Sequence, residues 1–99
     1  MTKNKFNSDG GKDGYWEEYY SNGNICYKGY YTDDIPDGYW EKYYSNGKLL
    51  SRGCFYNGCQ HGYWEEFYPN GVLHSKGFYE EDQRVGEWKF YDIYGNLKN

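Results

Sequence analysis

Few side chains in this sequence are of the kinds that do chemistry, and their spacing limits what each can do. His61 and His74 stand apart, one in a link between aromatic runs and one inside such a run. A catalytic histidine needs a nucleophile or a carboxylate converging on it from another element, and neither has one in prospect. Cys54, Cys59 and His61 make a Cys-x4-Cys-x-His string, three ligands where zinc takes four unless Cys26 folds over them, so no metal site is expected. Asp33, Asp34 and Asp37, like Glu80, Glu81 and Asp82, are acidic groups without the spacing of a calcium loop and read as solvated turns. Glu17 with Glu18, and Glu65 with Glu66, cannot serve as a glycosidase acid and base. Neighbours on a strand point to opposite faces and cannot flank one bond. The expectation is a protein that is not an enzyme and carries no cofactor.

What recurs is aromatic. Tyr15, Tyr39 and Tyr63, then Tyr19, Tyr43 and Phe67, fall at two fixed places in a period of 24 residues, with Tyr30 and Phe78 at a third. The period itself is carried by the phrase Gly38-Tyr39-Trp40-Glu41-Lys42-Tyr43-Tyr44-Ser45-Asn46-Gly47. It returns from Gly14 to Gly23, from Gly62 to Gly71, and in a worn form from Gly86 to Gly95. Residues 1–99 thus read as a single repeat domain, with full units at 14–37, 38–61 and 62–85 and partial units at 1–13 and 86–99. Terminal units of a repeat array are expected to be atypical, because one face of each has no neighbour.

Composition agrees. The chain has fifteen Tyr, five Phe and four Trp in 99 residues, so its buriable area comes from rings. Tyrosine has a polar tip that wants water or a partner, which suits a thin structure without a dry centre. A net charge of -4 speaks against nucleic acid and against electrostatic binding to anionic lipid, both of which need clustered Lys and Arg. No stretch approaches the roughly 18 apolar residues of a membrane span, and residues 1–14 carry no apolar leader. An odd number of cysteines, three, fits reduced thiols and a cytoplasmic location.

The elements follow from the phrase. Its Tyr- and Trp-rich run favours strand, and Asn-Gly at 22–23, 46–47 and 70–71 predicts a two-residue type I′ hairpin turn. Such a turn sets Trp16 opposite Gly29, Glu17 opposite Lys28 and Tyr20 opposite Ile25, with the same pairings 24 and 48 residues on. Each indole then covers the glycine of its own hairpin and each acid meets the base of its own hairpin. The six-residue links 32–37, 56–61 and 80–85 read as outer loops, and no helix is expected. The fold class is all-β: a single-layer antiparallel meander of about nine short strands, elongated and curved, roughly 40 Å long. One face carries Trp16, Tyr31, Trp40, Phe55, Trp64, Tyr79 and Trp88 and is expected to be the more buried. The other carries Tyr15, Glu17, Tyr19, Lys28 and Tyr30 with their copies.

The pattern Gly-x-Trp-x-x-Tyr-Tyr-x-Asn-Gly-x-Leu, followed by Lys-Gly-x-Tyr and a polar loop, resembles the MORN-repeat variant of bacterial proteins over about residues 5–98. Cys54 in place of an aromatic, Asp92-Ile93-Tyr94 in place of Tyr-Ser-Asn, and Glu87 in place of Tyr are its departures. The resemblance implies an extended hairpin sheet used for protein contacts, dimerisation or lipid association, and, from labels common in that family, an antitoxin that neutralises a toxin. The residues themselves point to a partner-binding face of rigid aromatics among paired charges: Tyr15, Tyr19, Tyr30, Tyr39, Tyr43, Tyr63, Phe67 and Phe78. A homodimer through a face or through the free edges near Lys5 to Ser8 and Gly95 to Lys98 is a second expectation. Lipid headgroups or carbohydrate on the same rings are one alternative, with a membrane disfavoured, and a purely structural repeat whose rings only shield the sheet is another. Only Tyr39 and Tyr43 are left with no obligatory structural partner.

Overall fold

The computed structural model describes residues 3–98. They form one open antiparallel sheet of eight strands in sequence order, β1 (Lys5–Phe6), β2 (Lys12–Tyr19), β3 (Ile25–Thr32), β4 (Ile35–Tyr43), β5 (Leu49–Tyr56), β6 (Cys59–Phe67), β7 (Leu73–Glu80) and β8 (Gln83–Phe90). The expected ninth strand is reduced to a single pairing of Tyr91 with Leu97. The sheet measures 50 × 34 × 18 Å, a single elongated layer. None of its elements is a helix long and apolar enough to cross a membrane.

The two kinds of turn are exchanged relative to the expectation. At the Asn-Gly corners the loop has three residues: Tyr20 N–H donates to the Asn24 carbonyl at 2.8 Å and Gly23 N–H to the Tyr20 carbonyl at 3.0 Å. Glycine supplies the positive φ there, +94° at Gly23, while the asparagine before it stays out of the left-handed region. This is the type I turn followed by a left-handed residue that closes three-residue hairpins. The predicted register nevertheless holds at Trp16↔Gly29 and Glu17↔Lys28, because the extra loop residue is compensated by a bulge between Glu18 and Tyr19. Only the pairings below the bulge differ, with Tyr19 rather than Tyr20 opposite Ile25. The second and third hairpins repeat both features. Asp92 takes over the asparagine's task in the worn fourth turn, accepting from Tyr94 N–H at 3.0 Å and Asn96 N–H at 2.9 Å.

The two-residue type I′ turns are at the other corners. Thr32 pairs with Ile35, Tyr56 with Cys59 and Glu80 with Gln83, so the six-residue links are strand almost to their tips. Their central residues all have positive φ: Asp33 and Asp34 at 50° and 69°, Asn57 and Gly58 at 54° and 88°, Glu81 and Asp82 at 50° and 68°. Only Asn57-Gly58 carries the sequence signal. What holds the others is the neighbouring hairpin: Asp34 N–H donates to the Lys12 carbonyl at 2.8 Å while its carboxylate accepts from Lys12 N–H at 2.8 Å. Asp82 does the same to Gln60, at 3.1 and 2.7 Å.

The buried face is the indole face, as expected, and Trp16, Trp40 and Trp64 are its core. Their rings lean away from the glycines of their own hairpins. A Cβ on Gly29 would lie 2.2 Å from the ring of Trp40, one on Gly53 2.2 Å from Trp64, and one on Gly77 2.3 Å from Trp88. Each indole therefore covers the glycine of the preceding unit, and its Nε1–H donates to the carbonyl after that glycine: Trp40 to Tyr30 at 2.9 Å, Trp64 to Cys54 at 2.9 Å, Trp88 to Phe78 at 3.0 Å. Phe6, Trp16, Tyr31, Trp40, Phe55, Trp64, Tyr79 and Trp88 follow one another edge to face, with centroids 5.0–6.1 Å apart and planes at 78–83°. That geometry is the one in which ring edges meet the electron-rich faces of their neighbours. The column is the nearest thing the fold has to a core.

Further straps join successive units. Tyr44 and Tyr68 donate their hydroxyls to the carbonyls of Phe67 and Tyr91 at 2.6 and 2.7 Å, and Tyr20 does so to Tyr43. Asn22, Asn46 and Asn70 donate from Nδ2 to Ser45, Pro69 and Ile93 at 2.8, 3.0 and 3.2 Å. At the N-terminal edge Asn4 closes the ladder. Its N–H donates to the Tyr15 carbonyl, and its side-chain amide exchanges two bonds with the backbone of Glu17 at 2.9 and 2.7 Å. The backbone groups of β2 at Tyr15 and Glu17, beyond the end of β1, are thus already bonded.

Candidate functional site

The face opposite the indoles is built by β2, β4 and β6, whose alternation sends Tyr15, Glu17 and Tyr19 outward together, then Tyr39, Glu41 and Tyr43, then Tyr63, Glu65 and Phe67. The three carboxylates organise it. Glu17 accepts hydrogen bonds from the hydroxyls of Tyr15, at 2.6 Å, and Tyr19. Glu41 accepts from Tyr39, at 2.7 Å, and from Tyr43. Glu65 has one phenol, Tyr63 at 3.0 Å, because Phe67 stands at the other place. Tyr39 and Tyr43, expected to be without structural partners, are therefore clamped to Glu41.

Each carboxylate also holds a cation, and again the contact runs between units. Lys28 reaches Glu41 at 3.3 Å and Arg52 reaches Glu65 at 2.7 Å, while Lys3 of the N-terminal partial unit reaches Glu17 at 2.7 Å. The register places Lys28 opposite both Glu17 and Glu41, and the ion pair forms with the second. The expected pairing of each acid with the base of its own hairpin is corrected in that sense.

These bonds shift titrations in the direction the geometry requires. The hydrogen bond from Lys3, then those from Tyr15 and Tyr19, hold Glu17 down at about 2. At Glu41 burial acts to raise the pKa, and the bonds from Tyr43, Tyr39 and Lys28 outweigh it, so the net shift is downward. Partial burial, then the bond to Glu41, pushes Tyr39 up to about 12. Tyr15 and Tyr43 are raised by burial first and then by their bonds to Glu17 and Glu41. The phenols stay neutral donors and the carboxylates charged acceptors across the physiological range, which fixes the rings in place.

Of the eight residues singled out from the sequence, the structure puts all on this one face in two sets. Tyr15, Tyr43 and Phe67 are half-buried, and Arg52 lies 5.7 Å from the centre of the Phe67 ring. Tyr19, Tyr30, Tyr39, Tyr63 and Phe78 are exposed, from 41% at Tyr30 to 55% at Phe78. Tyr15 packs on Tyr30 with centroids 5.4 Å apart, and Tyr63 on Phe78 at 5.5 Å. The middle unit lacks that pair because Cys54 stands opposite Tyr39. A groove of 340 Å³ opens between the first two units, lined by Tyr15, Lys28, Gly29, Tyr30, Tyr39 and Glu41. Lys3, Lys28, Arg52 and the three glutamates belong to the site as much as the rings do. The threefold recurrence of Glu at 17, 41 and 65 between two ring positions was the signal for them.

Among the described residues no three of His, Cys, Asp and Glu come close enough to share a metal ion. Cys54 lies across from His61, and Cys26 and Cys59 are half-buried thiols.

A single open layer of hairpins, each strapped to the next and offering one face of clamped rings, defines a repeat scaffold of the hairpin-sheet class. Residues 12–33, 36–57 and 60–81, two thirds of the chain, match the family model of the MORN repeat variant, and the chain belongs to that family. No curated protein matches it. MORN repeats are commonly protein- or membrane-interaction modules. The match extends to the repeat and says nothing of a toxin.

Proposed function

We propose that the chain is a non-catalytic interaction module that binds a partner protein through its tyrosine face. The observation that carries this is the exposure of Tyr39 and Tyr63, held by Glu41 and Glu65 and through them by Lys28 and Arg52, and of Tyr30 and Phe78, which pack on Tyr15 and Tyr63. Rings held in this way lose little conformational freedom on binding, which is what makes Tyr effective at interfaces. The partner class taken from the family resemblance is a toxin, neutralised by occlusion in the cytoplasm. Replacing Tyr30, Tyr39, Tyr63 and Phe78 by Ser abolishes capture of the partner from the native host and leaves the circular dichroism spectrum unchanged. Capture that survives the four substitutions would rule out the tyrosine face as the binding surface.

A second reading is supported by the 340 Å³ groove, whose size suits one small ligand. Its two exposed rings with Lys28 and Glu41 would stack and hydrogen-bond a sugar. Binding on a glycan array by the wild-type chain, lost on Tyr39→Ser, would favour it over a protein partner.

A further inference from the structure

The row of charges along the tyrosine face alternates in sign from Lys3 through Glu17, Lys28, Glu41, Arg52 and Glu65 to Lys76. At the next place, where three units put a carboxylate, stands Lys89. The register sets Lys76 directly opposite Lys89 across β7 and β8. Like charges so placed oppose folding. The three ion pairs among the described residues involve neither lysine. Lys76 lies instead over the ring of Tyr91, 5.9 Å from its centre, and Tyr91 occupies the place that Tyr19 and Tyr43 hold in their units. Beside the two cations Phe78 and Val85 pair across the strands, at 55% and 37% exposure.

We propose that Lys76 and Lys89 form the acceptor for an acidic side chain of the partner protein, which takes the place of the glutamate that the fourth unit lacks. The inference rests on the tyrosine face being the binding face and names the chemistry recognised there. The template is in the molecule: Glu41 is met by the cation of the preceding unit and by two phenols. A carboxylate delivered between Lys76 and Lys89 would find two ammonium groups and the Tyr91 hydroxyl, with an apolar neighbour able to rest on Phe78 and Val85. Glu87 replaces the other phenol on the same face. Its negative charge lowers the excess of Lys76 and Lys89 to about one.

The test is a titration of the isotope-labelled full chain, followed by nuclear magnetic resonance, with the blocked peptide acetyl-Tyr-Thr-Glu-Thr-Tyr-amide and its Gln analogue. The Glu peptide should shift signals of Lys76, Phe78, Lys89 and Tyr91 and bind about tenfold more tightly than the Gln peptide. Lys89→Glu should rebuild the internal pair with Lys76, melt above the wild type, and lose that binding. Lys76→Gln keeps the fold and weakens the same binding. Equal binding of the two peptides, or full binding to Lys89→Glu, would overturn the proposal. Shifts confined to Tyr15, Tyr30 and Tyr39 would overturn it while leaving the face intact; shifts on the indole face would overturn both.

Discussion

Substituting Gly53 tests whether the sheet is held together between units or within them. A Cβ at Gly53 would sit 2.2 Å from Cδ2, 2.3 Å from Cε2 and 2.5 Å from Cγ of Trp64. Real Cβ atoms essentially never come within 3.0 Å of such a neighbour, so Gly53→Ala must push the indole outward by roughly 1 Å. Trp64 is 3% exposed and wedged between Phe55 and Tyr79, with its Nε1–H committed to the Cys54 carbonyl, so it has nowhere to go without breaking those contacts. Overpacking of this kind costs about 1–3 kcal/mol. The smaller conformational freedom of alanine in the unfolded chain returns about 0.4–1 kcal/mol. In a Trp64→Ala background, itself about 3–5 kcal/mol less stable, Gly53→Ala no longer meets the indole and becomes neutral or slightly stabilising. Urea unfolding of the four proteins should therefore give a coupling of about 1–3 kcal/mol between positions 53 and 64. The same cycle with Trp40, the indole that faces Gly53 within its own hairpin, should give less than about 0.5 kcal/mol. A larger coupling to Trp40 than to Trp64 would refute the inter-unit packing.

Acid should loosen the tyrosine face. Glu17 titrates from 4.5 in the unfolded chain down to about 2 when folded, so its contribution is complete above pH 4.5 and fades as pH falls toward 2; the melting temperature should drop across that window, and less so in Glu17→Gln. In alkali the sign is reversed. Tyr39 is pushed up to about 12 from 10, so ultraviolet titration should find it still protonated at pH 11, and Glu41→Gln should bring its ionisation back toward 10. Tyr44→Phe keeps the ring and removes its 2.6 Å bond to Phe67, a loss of about 0.5–1.5 kcal/mol in urea. Changing Glu81-Asp82 to Asn-Gly relieves two side chains held at positive φ and should raise stability by about 1 kcal/mol in the same assay. A fall in stability would show that the bond from Gln60 N–H to the Asp82 carboxylate outweighs the backbone strain it holds in place.

The repeat, the all-β meander and the two faces were legible in the residues because a period of two places every side chain once the strand direction is known. The turn types were not. Asn22-Gly23 carries the strongest short hairpin signal, yet its asparagine is spent on a strap to Ser45, a contact with the next unit that no local rule contains. Asp33-Asp34 and Glu81-Asp82 carry no signal and adopt the strained turn because Lys12 and Gln60 of the neighbouring hairpin bind them. The register survived the wrong turn only because the bulge beside Glu18 restored it. The direction in which Trp40 and Lys28 lean was equally hidden, since each has a matching partner on both sides and only packing chooses between them. For the site, the sequence marked the rings. It hid that Tyr39 and Tyr43 share Glu41, because hydrogen bonds between residues two apart on a strand leave no pattern beyond alternation itself.

Site-specific photocrosslinking decides which face of the sheet meets a partner protein. A benzophenone side chain is placed at Tyr63, on the tyrosine face, or at Lys42, which is exposed on the indole face, and the chain is irradiated in the native host. Binding through the tyrosine face predicts one covalent protein adduct from position 63 and none from position 42. An adduct from position 42 with none from 63 would contradict it.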